Sequence, residues 1–341
     1  MARSKRRSDE SFEDYLHHSR VSREAKKWAR VHVEGFNAAR SDLISVGSLI
    51  REGDAAEQIE GERIFRILNG YDSIPLALLR SIRDYGSVLR LSSIAERIRW
   101  KPGHPEVHFR SALSETRSVL KCRRLIVTVS LGVLQSAGIR FEPEPAKALN
   151  AARALKLGHV YRVTFRFRDA FWKEKKEFEN AGFFVSQDKQ FFTWWTAEPI
   201  SAPLLTAWMA GSAADEFSPR DSAEVARNAL ESLHRILGRK IPQPQSFYFH
   251  DWKSDLLFRG AYSYVPKGAR GAREALAKPV SKTLYFTGEA ASGVFCPILD
   301  SVIPDAMLCA RIAAFAAAPT TASSSGSIAI LMIVSTTSSG S

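Results

Sequence analysis

A mixed α/β fold is what this sequence predicts, and three stretches carry the prediction. Leu125–Val129 is a near-continuous apolar run, the mark of a strand buried on both faces in a parallel sheet. Val160–Phe167 sets Tyr161, Val163, Phe165 and Phe167 against Arg162, Thr164 and Arg166, which is the period of a half-buried strand. Thr283–Thr287 is a short β-type run that leads into Gly288-Glu289 and then into a stretch of helical character reaching Phe315. A strand, a tight glycine turn and a helix leading away is how α/β proteins hold a phosphate or a cofactor ring.

Taken in order, the chain from Ser8 to Arg51 reads as helical. Ser11 is placed to cap a start, Phe12, Tyr15 and Leu16 share a face, and Gly35 is a local weak point. Phe65–Tyr71 is strand-like and closes on an Asn-Gly turn signal. Ile74–Tyr85 is an amphipathic helix with Ile74, Leu78, Leu79 and Ile82 on its stripe. Val88–Leu91, Ile94–Trp100 and Val107–Arg110 read as short strands, and Ala146–Lys156 as a helix. Phe183–Val185, Phe191–Thr196 and Leu204–Met209 add aromatic-rich strands. Ser218-Pro219 opens a helix with the stripe Ala226, Ala229, Leu230, Leu233 and Leu237, and Gly238 stops it. Beyond Ala316 the chain is Ser/Thr-rich and is expected to be disordered over 317–341.

Composition sets bounds on function. A chain of 341 residues is long enough for two domains and a large core, and 45% hydrophobic with 25% charged residues is ordinary for a globular protein. The net charge of +12 invites a nucleic-acid reading, but the charges are scattered and the densest cluster is Arg3–Arg7. A solvated basic surface accounts for that distribution, so no nucleic-acid partner is expected. Cys122, Cys296 and Cys309 make no disulfide framework and show no metal spacing, which points to a reducing compartment and a cytoplasmic location. Ile328–Val334 is too short to span a membrane. His104 and His108 lie among Pro and Gly, no nucleophile elbow is present, and no metal is expected.

Five separated stretches together resemble the FAD-dependent amine oxidase family, and they stand in the family's order. They are FRILNGY at Phe65–Tyr71, IVTVSLGVL at Ile126–Leu134, and Ile139–Pro143 with the following helix and Val163–Trp172. The last two are Trp252-Lys-Ser-Asp255 with Gly260-Ala-Tyr-Ser263, and Lys282–Phe315. The likeness covers about residues 8–316. It implies an FAD-binding Rossmann-like domain interleaved with a sheet-plus-helices substrate domain. The substrate part is then 1–61 and 139–252, and the FAD part 62–138 and 253–316. The departure is at the front. The family's G-x-G-x-x-G unit, whose glycines let backbone approach the FAD pyrophosphate, has no counterpart in this sequence. The expectation is an incomplete FAD domain, as in a truncated product or a degenerate paralogue, with FAD binding in question.

The resemblance also nominates residues. Tyr262 matches an aromatic flanking the substrate before the flavin; the competing role is a packed core tyrosine. Arg162 stands where the family has a lysine that holds a water near the flavin. Arg does not deprotonate and has a different geometry, so it would position water or a carboxylate, or else face a polar cavity as an ordinary strand residue. Gly288 and Glu289 match the flavin-contacting turn, Trp252 packs beside the flavin or the core, and Ala95 replaces a valine near adenine. Asp300, Ser301 and Val302 stand at the flavin-facing helix, where Ser301 adds bulk in place of glycine and Pro304 suggests a kink. The implied reaction is transfer of a hydride equivalent from an amine C–H to flavin, with peroxide formed on reoxidation by oxygen. The partner would be a small-molecule amine. Two other functions stay open: a non-catalytic remnant acting as an interaction module, and a basic nucleic-acid-associated protein.

Overall fold

The structure, a computed structural model, describes residues 9–58, 65–68, 70–83, 87–291 and 328–331. In chain order its elements are α1 (Phe12–His18), α2 (Arg23–Asn37), α3 (Val46–Gln58), α4 (Ser73–Arg83), β1 (Ser93–Arg99), β2 (Glu106–Ser111), β3 (Arg117–Lys121) and β4 (Arg124–Val127). Then come α5 (Leu131–Gln135), β5 (Arg140–Glu142), α6 (Ala146–Ala154), β6 (Lys156–Leu157), β7 (Val160–Arg166), β8 (Phe183–Val185), β9 (Thr193–Thr196) and β10 (Leu204–Ala210). The last are α7 (Gly211–Glu216), α8 (Ser222–Leu237), β11 (Ser246–Phe249), β12 (Ser263–Tyr264), α9 (Ala272–Leu276), β13 (Leu284–Phe286) and β14 (Ile328–Leu331). They fall into two compact units.

The first unit contains the chain up to Leu49, Leu157–Asp255 and Pro266–Gly268. Its sheet runs β11-β7-β10-β9-β8, antiparallel throughout. The period-two pattern of β7 is realised: Tyr161, Val163 and Phe165 are buried while Arg162 and Arg166 are exposed. The buried face, with Trp194, Leu205, Ala207 and Met209, packs on the stripe of α8 formed by Val225, Ala226, Ala229, Leu233 and Leu237. That helix starts later than Ser218-Pro219, because Asp221 is the residue whose carboxylate accepts from the Glu224 N–H, at 2.7 Å. An aspartate here satisfies an orphan donor at a positive helix end. Gly238 ends the helix at φ 61°, with its N–H on the His234 carbonyl, a left-handed stop that glycine adopts freely.

The opposite face of this sheet is polar and aromatic. Thr164 and Thr206 hydrogen-bond across strands at 3.0 Å, and Trp208 Nε1 donates to the Gly35 carbonyl of α2 at 2.8 Å. The continuous helix expected over 8–51 is instead three. Ser11 and Ser22 cap α1 and α2, with an extended Ser19 between them. A two-point Arg30–Glu13 pair, at 2.7 and 2.6 Å, ties those two helices together.

The second unit contains Ile50–Lys156, Leu256–Val265 and the chain from Ala269. One sheet runs β3-β2-β1-β5, with β1 and β5 parallel and a bulge between Ala95 and Arg97. The other runs β13-β4-β14 and is parallel. Leu125, Ile126 and Val127 of β4 are at most 1% exposed, so the apolar run is a strand covered on both faces. The tail was expected to be disordered, yet Ile328–Leu331 pairs with β4 from Arg124 to Val127; a short β-branched, apolar run there meets an unpaired strand edge.

Two expected strands do not form. Around Phe65–Tyr71 the described residues are irregular or turn, with Phe65, Leu68 and Tyr71 more than half exposed. Val88–Leu91 is irregular and exposed as well. β-type residues make a strand only where a neighbour supplies the ladder, and no described strand pairs with either. The helical run expected up to Phe315 lies, beyond Ala291, outside the described residues. No helix among the described residues is long and apolar enough to cross a membrane.

The core of the first unit gives a direct test. Phe165 is fully buried between Phe167, Trp194 and Phe247. Phe165→Ala should lower unfolding free energy by about 3–5 kcal/mol in urea titration; a loss under about 1 kcal/mol would contradict the assigned core.

Candidate functional site

The turn after β13 is the centre of the second unit. Leu284–Phe286 pairs in register with Leu125–Val127, and the Thr287 N–H continues the ladder to the Val127 carbonyl at 3.1 Å. The chain then turns at Gly288 with φ 109°, a conformation a side chain would strain, and a short 3-10 helix covers Glu289–Ala291. Among the described residues a Cβ at Gly288 would meet only Thr128, its carbonyl oxygen at 3.7 Å and its Cα at 3.9 Å. Backbone is therefore presented at the end of a parallel strand with no described side chain within 4 Å of that Cβ, a place suited to close approach by a ring or phosphate.

Glu289, expected at a cofactor contact, is also tied into the fold through one carboxylate oxygen. Its Oε1 accepts from both the N–H and the hydroxyl of Ser263, each at 2.8 Å, and Arg273 Nη1 stands 3.6 Å away. Arg273 is 6% exposed and donates to the Glu289 carbonyl and the Ser263 carbonyl, both at 2.9 Å. The carboxylate thus clamps the turn to the Gly260–Ser263 block. Burial pushes the Glu289 carboxyl up, opposed by Arg273 and by the Ser263 donors. Glu52 of α3 feels the same field: burial raises its pKa to about 7, against the attraction of Arg273 and with the repulsion of Glu289. None of Arg273, Ser263 and Glu52 is nominated by sequence. Only the Tyr-Ser of the Gly260-Ala-Tyr-Ser263 block hinted at Ser263, and Arg273 sits in an unremarkable Ala-rich stretch.

Tyr262 precedes Ser263 and is 9% exposed, so little of its ring edge is accessible. Arg259, three residues earlier, has φ 63° and a buried Nε with no hydrogen-bond partner. The block is held by Ser130, whose hydroxyl donates to the Phe258 carbonyl at 2.7 Å while capping α5. Ser130, where the family pattern has proline, is therefore a structural tie. An orphaned buried guanidinium nitrogen calls for an acceptor, and FAD offers anionic and carbonyl oxygens. The open Gly288 turn and the unpaired Arg259 Nε are features that fit such a group.

The remaining candidates are dispersed. Ala95 is 2% exposed on β1, opposite Phe109 and beside the bulge. Arg162 belongs to the first unit, exposed on the polar face of β7 opposite Trp208. Trp252, also in the first unit, stacks edge-on against His250 at 4.4 Å, and His250 Nε2 lies 2.9 Å from Asp255. Asp300, Ser301 and Val302 lie outside the described residues. Among the described residues no group of His, Cys, Asp and Glu could hold a metal ion.

Comparison with known proteins bears on the family and the fold. A family model described as flavin containing amine oxidoreductase matches residues 1–314. Lysine-specific histone demethylase 1 homolog 2 of Oryza sativa subsp. japonica is 34% identical over 190 residues, which is 53% of this chain and 25% of that protein. A possible lysine-specific histone demethylase 1 of Drosophila melanogaster is 28% identical over 287 residues, covering 77% of this chain and 31% of that protein. The chain thus spans under a third of the length of these curated relatives. Among solved structures, a redesigned putrescine oxidase superposes with TM-score 0.73 at 19% identity, over 90% of this chain and 68% of that one. Cyclohexylamine oxidase from Brevibacterium oxydans gives TM-score 0.69 at 19% identity, over 89% and 68%. These likenesses show the fold.

Two outcomes follow from the clamp. Arg273→Ala leaves Glu289 without its cation and should destabilise by about 3–5 kcal/mol in denaturant titration. Because the folded pKa of Glu52 lies above its usual 4.5, the folded chain binds that proton more tightly than the unfolded chain. Its stabilising effect is complete below about pH 4.5 and is lost as pH rises through about 7. Glu52→Gln should flatten that part of the unfolding midpoint against pH; an unchanged slope would remove Glu52 from the cluster.

Proposed function

The chain belongs to the flavin-containing amine oxidoreductase family, and from that membership we propose that it oxidises an amine with bound FAD. The substrate class we propose is a methylated lysine side chain, a reading motivated by the names of the curated relatives, which are lysine-specific histone demethylases. The observation that carries the flavin reading is the Gly288 turn, open backbone at the end of a parallel strand, with the unpaired Arg259 Nε in the same unit.

When bound, FAD supplies a two-electron acceptor for the C–H bond next to the amine nitrogen, with oxygen as the final oxidant. Everything else falls to this chain. Gly288 and Arg259 hold the cofactor, the first by close backbone approach and the second through its Nε–H. Tyr262 contributes apolar wall. An apolar wall selects the neutral amine, since burying an ammonium is costly. Arg162 stays charged at any working pH and therefore accepts no proton; its role is to orient water or a substrate carboxylate from the polar face of β7. Glu289 and Arg273 keep the turn in place and take no part in the reaction.

The experiment is the visible spectrum of the purified protein, followed by peroxide release on a methyl-lysine peptide and on a panel of small amines. Bound-flavin bands and peroxide with the peptide are expected. Protein that stays colourless after reconstitution with FAD would sink the flavin reading, and turnover of small amines alone would remove the lysine substrate. Gly288→Val, which strains the turn, should lower flavin occupancy by about tenfold or more. Arg162→Ala should leave flavin content unchanged and reduce kcat.

A further inference from the structure

The sheet β3-β2-β1-β5 carries a cavity of about 290 Å³ lined by Glu96, Arg97, His108, Phe109, Arg117 and Arg140 together with Ser118 and Val119. Its make-up follows from register. Arg97 of β1 is opposite His108 of β2 and also opposite Arg140 of β5, and His108 is opposite Val119 of β3. Val119, His108, Arg97 and Arg140 therefore form one row across four strands, on one face. Two arginines set directly opposite each other repel and weaken a sheet, so this row is unfavourable unless an anion lies near it.

The carboxylates in reach are mostly committed. Glu96 pairs with Arg110 at 3.0 Å and lies 3.6 Å from Arg117. Glu142 takes Arg99 at 2.9 Å and Arg140 at 3.0 Å, and the Arg99 hydrogen bond, with the charges of Arg140 and Arg97, holds its carboxyl below the usual range, so this one carboxylate is shared among three arginines. Glu106 reaches Lys121 at 3.4 Å and stands 3.8 Å from His108 Nε2, beyond hydrogen-bond distance. Two groups are left over. The Arg97 side chain stands in no hydrogen bond or salt bridge within 4 Å among the described residues, its charge acting only at longer range on Glu142, and His108 Nε2 is a buried atom with no hydrogen-bond partner among them. The bulge between Ala95 and Arg97 re-aims the strand at this point, a device common beside binding sites.

We propose that this cavity binds a phosphate group, with Arg97 and Arg140 as the charged fork, His108 Nε2–H as a third donor, and Phe109 and Val119 as the apolar wall. Guanidinium groups match phosphate oxygens in paired, charge-assisted bonds. The volume suits a phosphate monoester. The same chemistry would also seat one backbone phosphate of a nucleic acid, and the test separates these sources. The site is independent of the flavin reading, and nothing in the oxidation requires it.

Binding of inorganic phosphate, glycerol phosphate and a short DNA duplex to the full chain would be measured by calorimetry at matched ionic strength, with chloride as the control ion. Saturable one-site binding of the phosphates is expected, weakened about tenfold or more in Arg97→Ala and unchanged in Arg220→Ala, an exposed control in the other unit. Circular dichroism and the urea unfolding midpoint would establish that Arg97→Ala is folded. Duplex binding that Arg97→Ala abolishes, without binding of free phosphate, supports the site with nucleic acid as its source. Absence of saturable binding by any of the three, or binding equal in wild type and Arg97→Ala, overturns the proposal.

Discussion

The second unit depends on one buried guanidinium. Arg273 donates to the carbonyls of Glu289 and Ser263 and neutralises the carboxylate that Ser263 in turn holds. Removing charge from water is costly, and the return comes only when every donor and acceptor is used. Here two guanidinium nitrogens reach backbone carbonyls and the carboxylate stands beside them, so one side chain from α9 joins the turn after β13 to the block that carries Tyr262 and Arg259. The position of Gly288 follows, because the turn cannot shift without breaking three hydrogen bonds at once. The clamp also explains why an apparent cofactor glutamate has no free oxygen to spare at Oε1.

The first unit rests on a different physics. Its sheet and α8 share an apolar core built from aromatic residues, where burial of large side chains supplies the stability. Its polar face is then free to carry Arg162 and Trp208, which a buried strand could not tolerate. Burial and exposure are divided between the two sides of β7 by nothing more than the alternation of its side chains.

Much of the fold was legible because it is written in local pattern. The apolar run at Leu125, the alternation at Tyr161–Phe167 and the stripe of α8 each name an element and its buried side. The failures share a cause. Phe65–Tyr71 and Val88–Leu91 have β-type residues but no described partner strand, while Ile328–Leu331 looked like part of a featureless tail and pairs with β4. Strand formation is settled by a neighbour far away in sequence, and no local window contains it. The cap of α8 was missed for a smaller reason: Ser218-Pro219 and Asp221 both suit a helix start, and only the hydrogen bond from Glu224 decides between them.

By itself the sequence determined the α/β class, the family and the turn at Gly288, since motif order and residue type are linear information. Tertiary structure alone decided what Glu289 does, which cations are paired and which are left over. Those outcomes depend on distances between residues such as Ser263, Arg273 and Glu289, or Arg97, His108 and Arg140, that come together only through strand register and packing. Electrostatic energy varies with separation and burial, and neither quantity exists in a sequence until the chain has folded.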